Sequence, residues 1–258
     1  MKHRLSERRE LGHDLHVAID NHELYLAYQP IIHCQSGEVV GFEALSRWQH
    51  PVYFIPPLKF IPLAEECDLM EKLNDWLLFE ASNQIKKWRQ QFNRPFYVSV
   101  NISAKQLHLP YLAESIQSTM EFVSLPTQAL KVEITEDHFL GENSHIKNNL
   151  DLLKALGVDI YIDDFGMGYS ALNYLQRLPL SSLKIDRSFV KELGEEKSLV
   201  EGIIGMAQPL KLQVIAEGIE TEAQLKGLRA LGCDYGQGHF FAKPMDATNM
   251  TKWLEEHL

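Results

Sequence analysis

Apolar residues recur along this chain in short β-branched and aromatic runs bounded by turn residues, and between the later runs they recur at helical spacing. The runs predict eight strands, at about 24–32, 39–47, 95–103, 130–136, 159–166, 181–186, 212–218 and 235–243. The helical spacing predicts helices over 104–122, 142–156, 169–178, 195–210 and 221–231. A longer amphipathic helix near 63–91, carrying Leu69, Leu73, Trp76, Leu77, Ile85 and Trp88, precedes the third strand. Strand alternating with helix is the pattern of a parallel sheet covered by helices. The first connection breaks that pattern, because only His33-Cys34-Gln35-Ser36-Gly37-Glu38 joins the first two strands. A parallel crossover needs a dozen or more residues, so these two strands are expected to be antiparallel.

Five strands finish in an oxygen-bearing side chain. Glu43 follows Val39-Val40-Gly41-Phe42, Asn101 follows Phe96-Tyr97-Val98-Ser99-Val100, and Glu133 follows Leu130-Lys131-Val132. Asp163-Asp164 ends Gly157-Val158-Asp159-Ile160-Tyr161-Ile162, and Glu217 ends Leu212-Gln213-Val214-Ile215-Ala216. An open sheet would spread these ends, whereas closure brings them to one rim. The expected fold is an α/β barrel of the (β/α)8 type with its first strand antiparallel to the second, occupying residues 23–258. Residues 1–22, with Leu5, Leu11, Leu15, Val17 and Ile19 among charges, read as an amphipathic lead-in helix or the stub of a linker from an upstream domain.

Composition narrows the chemistry. With 258 residues, 45% of them apolar, the chain can bury the core of one large barrel. Its formal net charge of -10 opposes attraction to a nucleic-acid polymer or an anionic membrane, so a phosphorylated substrate must be met by metal ions or a local cation. Cys34, Cys67 and Cys233 are far apart, which points away from a disulfide framework or zinc knuckle and toward a reducing cytoplasm. No apolar stretch is long enough to span a bilayer, and the first ten residues lack a signal-peptide core, so no direct membrane insertion is expected.

Glu43, Asn101, Glu133, Asp163, Asp164 and Glu217 are all hard oxygen donors, which favour magnesium, manganese or calcium over zinc. Two like charges about 4 Å apart cost roughly 4 kcal/mol at an effective dielectric of 20, so the cluster calls for a bound cation. Asp163 and Asp164 are successive strand residues, and only a turn can aim both at one cavity. Lys184 and Asp186 are two apart and share a strand face opposite Leu183 and Ile185. They read either as a buried ion pair filling the barrel or, for Lys184, as a group that orients attacking water and offsets phosphate charge. Gly166-Met167-Gly168-Tyr169-Ser170-Ala171 fits a dinucleotide fingerprint, but Asp163 and Asp164 would stand beside the pyrophosphate. The triplet Asp164-Phe165-Gly166 is of the kinase kind but lacks its accompanying loops, and the histidines form no metal-type cluster.

Several motifs together carry a family resemblance: Tyr28-Gln29-Pro30, Glu43-Ala44-Leu45 with Ser46-Arg47-Trp48, Phe60-Ile61-Pro62-Leu63-Ala64-Glu65, Asn101-Ile102-Ser103 and Glu133-Ile134-Thr135-Glu136. Asp163-Asp164-Phe165-Gly166, Leu183-Lys184-Ile185-Asp186, Glu217-Gly218-Ile219-Glu220 and Gln237-Gly238 follow in the same order. From about residue 24 to 245 the chain resembles the EAL domain of bacterial signalling phosphodiesterases. The resemblance implies a modified TIM barrel that hydrolyses cyclic di-GMP to linear 5′-pGpG with two magnesium or manganese ions and is inhibited by calcium. It implies that Glu43, Asn101, Glu133, Asp163, Asp164 and Glu217 are metal ligands, with Glu43, Asp163, Asp164 and Lys184 forming the catalytic centre. Gln29, Leu45, Arg47, Asp186 and Gln237 would contact substrate, Glu136 would steady the loop after Asp163, and Glu220 would support the ligands. It further implies a homodimer through residues 164–180 and a possible upstream sensory or cyclase domain. Ser46, Asp68, His239 and the loop Val52-Tyr53-Phe54-Ile55 depart from the family pattern, which has Leu, Gly, an aromatic residue and a Gly-containing loop there. A barrel that senses cyclic di-GMP without cleaving it is the alternative, and an enolase-type lyase or isomerase is a third reading.

Overall fold

Side-chain alternation along the strands separates an outer apolar shell from a polar barrel interior, and this separation places the candidate chemistry. The computed structural model describes residues 2–21, 23–136, 144–166, 175, 177–193 and 197–258. The strands are β1 Leu24–His33, β2 Val39–Gln49, β3 Phe54–Ile55, β4 Tyr97–Asn101, β5 Leu130–Thr135, β6 Asp159–Phe165, β7 Ser182–Ile185, β8 Gln213–Ala216, β9 Tyr235–Gly236 and β10 Met245–Asp246. The helices are α1 Lys2–Asp20, α2 Pro57–Glu66, α3 Met70–Phe92, α4 Ala104–Leu107, α5 Leu112–Val123, α6 Ser144–Ala155, α7 Arg187–Lys191, α8 Lys197–Ala207, α9 Glu222–Ala230 and α10 Ala247–His257.

The barrel closes in the order β1-β2-β4-β5-β6-β7-β8-β9 and back to β1. From β2 through β9 the barrel neighbours are parallel, and β1 runs antiparallel to both β2 and β9. This is the modified TIM barrel with a reversed first strand. Phe42, Val98, Val132, Ile160, Leu183 and Val214 point outward into the principal core under the helices. Ile31, Tyr161 and Ile215 instead fill the interior, with Tyr97 and Tyr235 packed against them. Gly41 makes that layer possible, since a Cβ there would lie 2.6 Å from the Tyr97 ring. A second cluster docks α1, through Leu15, Ala18 and Ile19, against Trp48, Ile55, Phe60 and Leu63.

Four departures from the sequence reading have physical causes. The helix expected over 63–91 is two helices; α2 begins early at Pro57, a favoured first-turn residue, and Asp68 takes φ +56 between α2 and α3. The helix expected over 104–122 is interrupted around Pro110, which has no N–H to continue the ladder. The strand expected over 235–243 pairs only at Tyr235–Gly236; Gly238 then passes within 2.2 Å, measured from an added Cβ, of the Ile219 backbone, and the chain turns away. Helix α10 was not anticipated: Asp246 caps it by accepting from Asn249 N at 2.9 Å, and it buries Met250 and Leu254. Parts of the helices expected over 142–156 and 195–210, and most of the segments 169–178 and 164–180, lie outside the described residues. Among the described residues no helix is long and apolar enough to cross a membrane.

At the end of the barrel away from the carboxylate rim, Asp159 accepts hydrogen bonds from Lys131, Lys154 and Ser181. Burial alone would raise its pKa, but these hydrogen bonds outweigh it and hold the carboxyl at about 2. Its stabilising contribution is therefore complete above the ordinary carboxylate range and lost as pH falls through about 2. In urea denaturation Asp159→Asn is expected to be less stable than wild type by about 1 kcal/mol at pH 7, because the site is partly solvent-screened. The difference between the two proteins should shrink as pH falls below 4; a pH-independent difference would show that the ion pairs contribute nothing.

Candidate active site

Lys184 sits at the centre of the rim. Alternation along β7 turns Leu183 and Ile185 outward and Lys184 inward, where it is 0% exposed. Its Nζ lies 2.6 Å from Glu217 Oε1, 2.7 Å from Glu133 Oε2, 3.2 Å from Asp163 Oδ1 and 3.4 Å from Glu43 Oε2. Each acid arrives from a different strand or strand end, so the barrel, not local sequence, brings them together. Asn101 joins the group, its Nδ2 donating to Glu43 Oε1 at 3.2 Å. Gln237 Nε2 donates to Glu43 Oε2 at 2.6 Å and to Gln29 Oε1 at 2.9 Å, and Gln29 Nε2 donates to the Ala242 carbonyl at 3.0 Å.

Asp164 reaches the same place through a bend. The β6–β7 register shifts between Ile162 and Phe165, and Asp164 takes φ +53 with its N–H donating to Asp163 Oδ1 at 3.0 Å. As a result one oxygen each of Asp163, Asp164 and Glu217 lie within 4.8 Å of one another. The following residue but one, Gly166, donates its N–H to Glu136 Oε2 at 3.3 Å, which ties the bend to the end of β5.

The electrostatics follow from burial and crowding. Burial pushes the Glu133 carboxyl well above the usual range; the Lys184 charge opposes this, while Glu43 and Asp163 add to it. Burial, together with Asp163 and Glu43, raises Glu217 to about 8 against the pull of Lys184. Burial and Asp163 also raise Asp164. Burial alone would lower Lys184, but the combined fields of Asp163, Glu133, Glu217 and Glu43 hold it well above its ordinary value, so it stays an ammonium.

A cleft of about 220 Å3 opens on this cluster, lined by Gln29, Glu43, Asp163, Arg187, Glu217, Gly218, Glu220, Gln237, Gly238 and His239. Glu43, Asp163, Glu217, Gln29, Glu220 and Gln237 are thus on its wall, and Glu133 lies wholly buried beside Lys184. Leu45 and Arg47 continue the Glu43 face of β2, where Arg47 donates to the Ser46 carbonyl at 2.9 Å. Asp186 is not the partner of Lys184. β7 ends at Ile185, and Asp186 caps α7, its Oδ1 accepting from Ser188 N at 2.9 Å. Burial opposes this arrangement, but the Ser188 hydrogen bonds keep the Asp186 carboxyl below the usual range.

Arg187 was missed by the sequence reading. Gly218, at φ +66, admits it, since a Cβ on Gly218 would lie 2.3 Å from Arg187 Cβ. The available signal was its position directly after Asp186 at a strand end. His239, noted only as a departure, is also on the wall.

The donor set fits a hard divalent cation. The acids outnumber the single ammonium at their centre, and Glu133 Oε1 is buried without any hydrogen-bond partner among the described residues. Buried polar atoms are seldom left so.

A model of the EAL domain matches residues 13–244. The oxygen sensor protein DosP of Escherichia coli is 38% identical over 262 residues, covering 100% of this chain and 33% of its own length. The bifunctional diguanylate cyclase/cyclic di-GMP phosphodiesterase MucR of Pseudomonas aeruginosa is 39% identical over 248 residues, 95% of this chain and 36% of its own. The solved PaMucR phosphodiesterase in complex with c-di-GMP superimposes with a TM-score of 0.88 at 39% identity, covering 93% of this chain and 99% of that one. The chain spans about a third of the length of these curated relatives.

Replacing Lys184 by Met leaves buried carboxylates uncompensated, a change that costs about 3–5 kcal/mol when one member of a buried pair is lost. Thermal denaturation in EDTA should show a large drop in melting temperature for Lys184→Met. Magnesium or calcium should recover more of that drop than it adds to wild type, and equal metal effects on both proteins would contradict a shared cation-binding role for the cluster.

Proposed function

Because the chain belongs to the EAL domain family, we propose that it is a metal-dependent phosphodiesterase that hydrolyses cyclic di-GMP to linear 5′-pGpG in bacterial second-messenger signalling. The observation that carries this reading is the convergence of Glu43, Glu133, Asp163 and Glu217 on one buried ammonium, beside an open cleft and the Asp164 bend. Glu43, Asn101, Glu133, Asp163, Asp164 and Glu217 would hold two magnesium or manganese ions. Bound there, the ions supply Lewis-acid charge to the phosphodiester and a water acidic enough to attack near neutral pH. Calcium, which accepts looser oxygen coordination, would compete for the same donors and suppress turnover.

The chain's own residues then divide the remaining work. Lys184 is held protonated, so it donates hydrogen bonds and cannot serve as a base; it orients the attacking water and offsets phosphate charge. The Gln29–Gln237 pair fixes the Glu43 carboxylate from one side and Asn101 fixes it from the other. Glu136 holds the Asp163-Asp164 bend through Gly166 N. Arg187 on the cleft wall and Arg47 beyond Glu43 are the cations available to a dianionic dinucleotide, with Leu45, Asp186, Gln29 and Gln237 as further substrate contacts. Glu220 supports the wall, its N–H donating to Gln224 Oε1 at 2.8 Å. We place the reaction in the cytoplasm, treat α1 as the lead-in from an upstream sensory or cyclase domain, and expect a homodimer through residues 164–180.

Incubating the chain with cyclic di-GMP and magnesium or manganese should yield pGpG. Glu43→Ala or Asp163→Ala should lower kcat by about a thousandfold or more, the loss of roughly 4 kcal/mol of transition-state stabilisation. Tight retention of intact cyclic di-GMP without pGpG would replace this reading with a sensor.

A further inference from the structure

A second cavity lies on the outside of the barrel against β1. Its origin is topological: the chain leaves β1 through a hairpin to β2, so no crossover helix returns along the outer face of β1. That face is flanked instead by α3 and the start of α10, and between them opens a groove of about 460 Å3. This is roughly twice the 220 Å3 of the catalytic cleft and within the usual size of small-molecule sites, and no residue lines both.

The β1 side of the groove carries Leu24 and Leu26, while its α3 side is polar and aromatic. Trp76, Glu80, Asn83, Gln84 and Lys87 form one stripe along α3. The side chains of Trp76, Glu80, Asn83 and Gln84 make no hydrogen bond with another described residue. Facing them from β1 is Tyr28, only 3% exposed, its ring set edge-on against Trp88 at 4.9 Å. Tyr28 lines the groove, and its hydroxyl likewise has no hydrogen-bond partner among the described residues. Burial, reinforced by the Glu80 charge, keeps that hydroxyl protonated and therefore a donor.

We propose that this groove binds a guanine nucleotide. Trp76 supplies a flat apolar face for a purine. The Glu80 carboxylate, an acceptor-only group, matches the paired N–H donors on the guanine edge, which adenine does not present. The Tyr28 hydroxyl and the Asn83 and Gln84 amides supply donors for the base oxygen and ring nitrogen. Lys87 meets the phosphate.

The test uses the whole chain in EDTA, titrated with GMP, AMP or inorganic phosphate and followed by calorimetry and tryptophan fluorescence. GMP is expected to bind once per chain and about tenfold more tightly than AMP, with a fluorescence change that disappears in Trp76→Phe. Glu80→Gln, a half-exposed change that the fold tolerates, should weaken GMP about tenfold and leave AMP unaffected. Tyr28→Phe, which keeps the ring against Trp88, should weaken it several-fold. No heat and no fluorescence change with millimolar GMP would overturn the proposal, as would equal affinity for GMP and AMP or undiminished GMP binding in Glu80→Gln. Loss of GMP binding in Asp163→Ala would also overturn it, because the nucleotide would then be in the catalytic cleft. None of these readouts depends on hydrolysis of cyclic di-GMP, so the two assignments fail separately.

Discussion

One buried ammonium holds the carboxylate rim together. Placing Glu43, Glu133, Asp163 and Glu217 within a few ångströms of each other is costly, since each like-charge pair at about 4 Å repels by roughly 4 kcal/mol at an effective dielectric of 20. Lys184 lies 2.6 to 3.4 Å from all four and offsets part of that repulsion, but one positive charge cannot balance them. The remainder is visible in the raised carboxyl groups of Glu133, Glu217 and Asp164. A cluster in that condition is stable enough to fold and still has a strong preference for additional positive charge.

The reversed first strand serves the same site. Because β1 runs against its neighbours, a residue near its middle, Gln29, lies beside Glu43 on β2 rather than at a strand end. From there it connects the Ala242 carbonyl to Gln237 and so to Glu43. The interior opposite the rim is closed by Tyr97, Tyr161 and Tyr235 with Ile31 and Ile215, so the acids have solvent on one side only. The same reversal leaves the outer face of β1 without a helix of its own. One topological choice thus shapes both cavities.

Much of this was legible in the sequence because the signals were local and periodic. A six-residue connection could only be a hairpin, and oxygen donors after successive apolar runs had to meet if the sheet closed. The reading failed where an element's end is set by tertiary contact. Alternation put Asp186 on the face of Lys184, but β7 stops at Ile185, which turns Asp186 into a helix cap and brings Arg187 to the cleft. Phe240, Phe241 and Ala242 have strand-like composition, yet the approach of Gly238 to Ile219 ends the pairing after Gly236. The break at Asp68 carried no Gly or Pro, and α10 offered only Met250 and Leu254 as fully buried positions in a polar segment.

The position of Arg187 bears on how so acidic a cleft receives a phosphorylated molecule. Net charge and the wall residues Glu43, Asp163, Glu217 and Glu220 all oppose an anion, and Lys184 lies beneath the surface among carboxylates. Among the described wall residues Arg187 is the one that is always cationic, and it stands across Gly218 from Glu217. A ligand with two phosphates therefore meets unlike environments at its two ends, oxygen donors that need cations at one and a guanidinium at the other. On the proposed function, the two equivalent phosphates of the dinucleotide would thus be held differently, one through metal at the carboxylates and the other through the guanidinium.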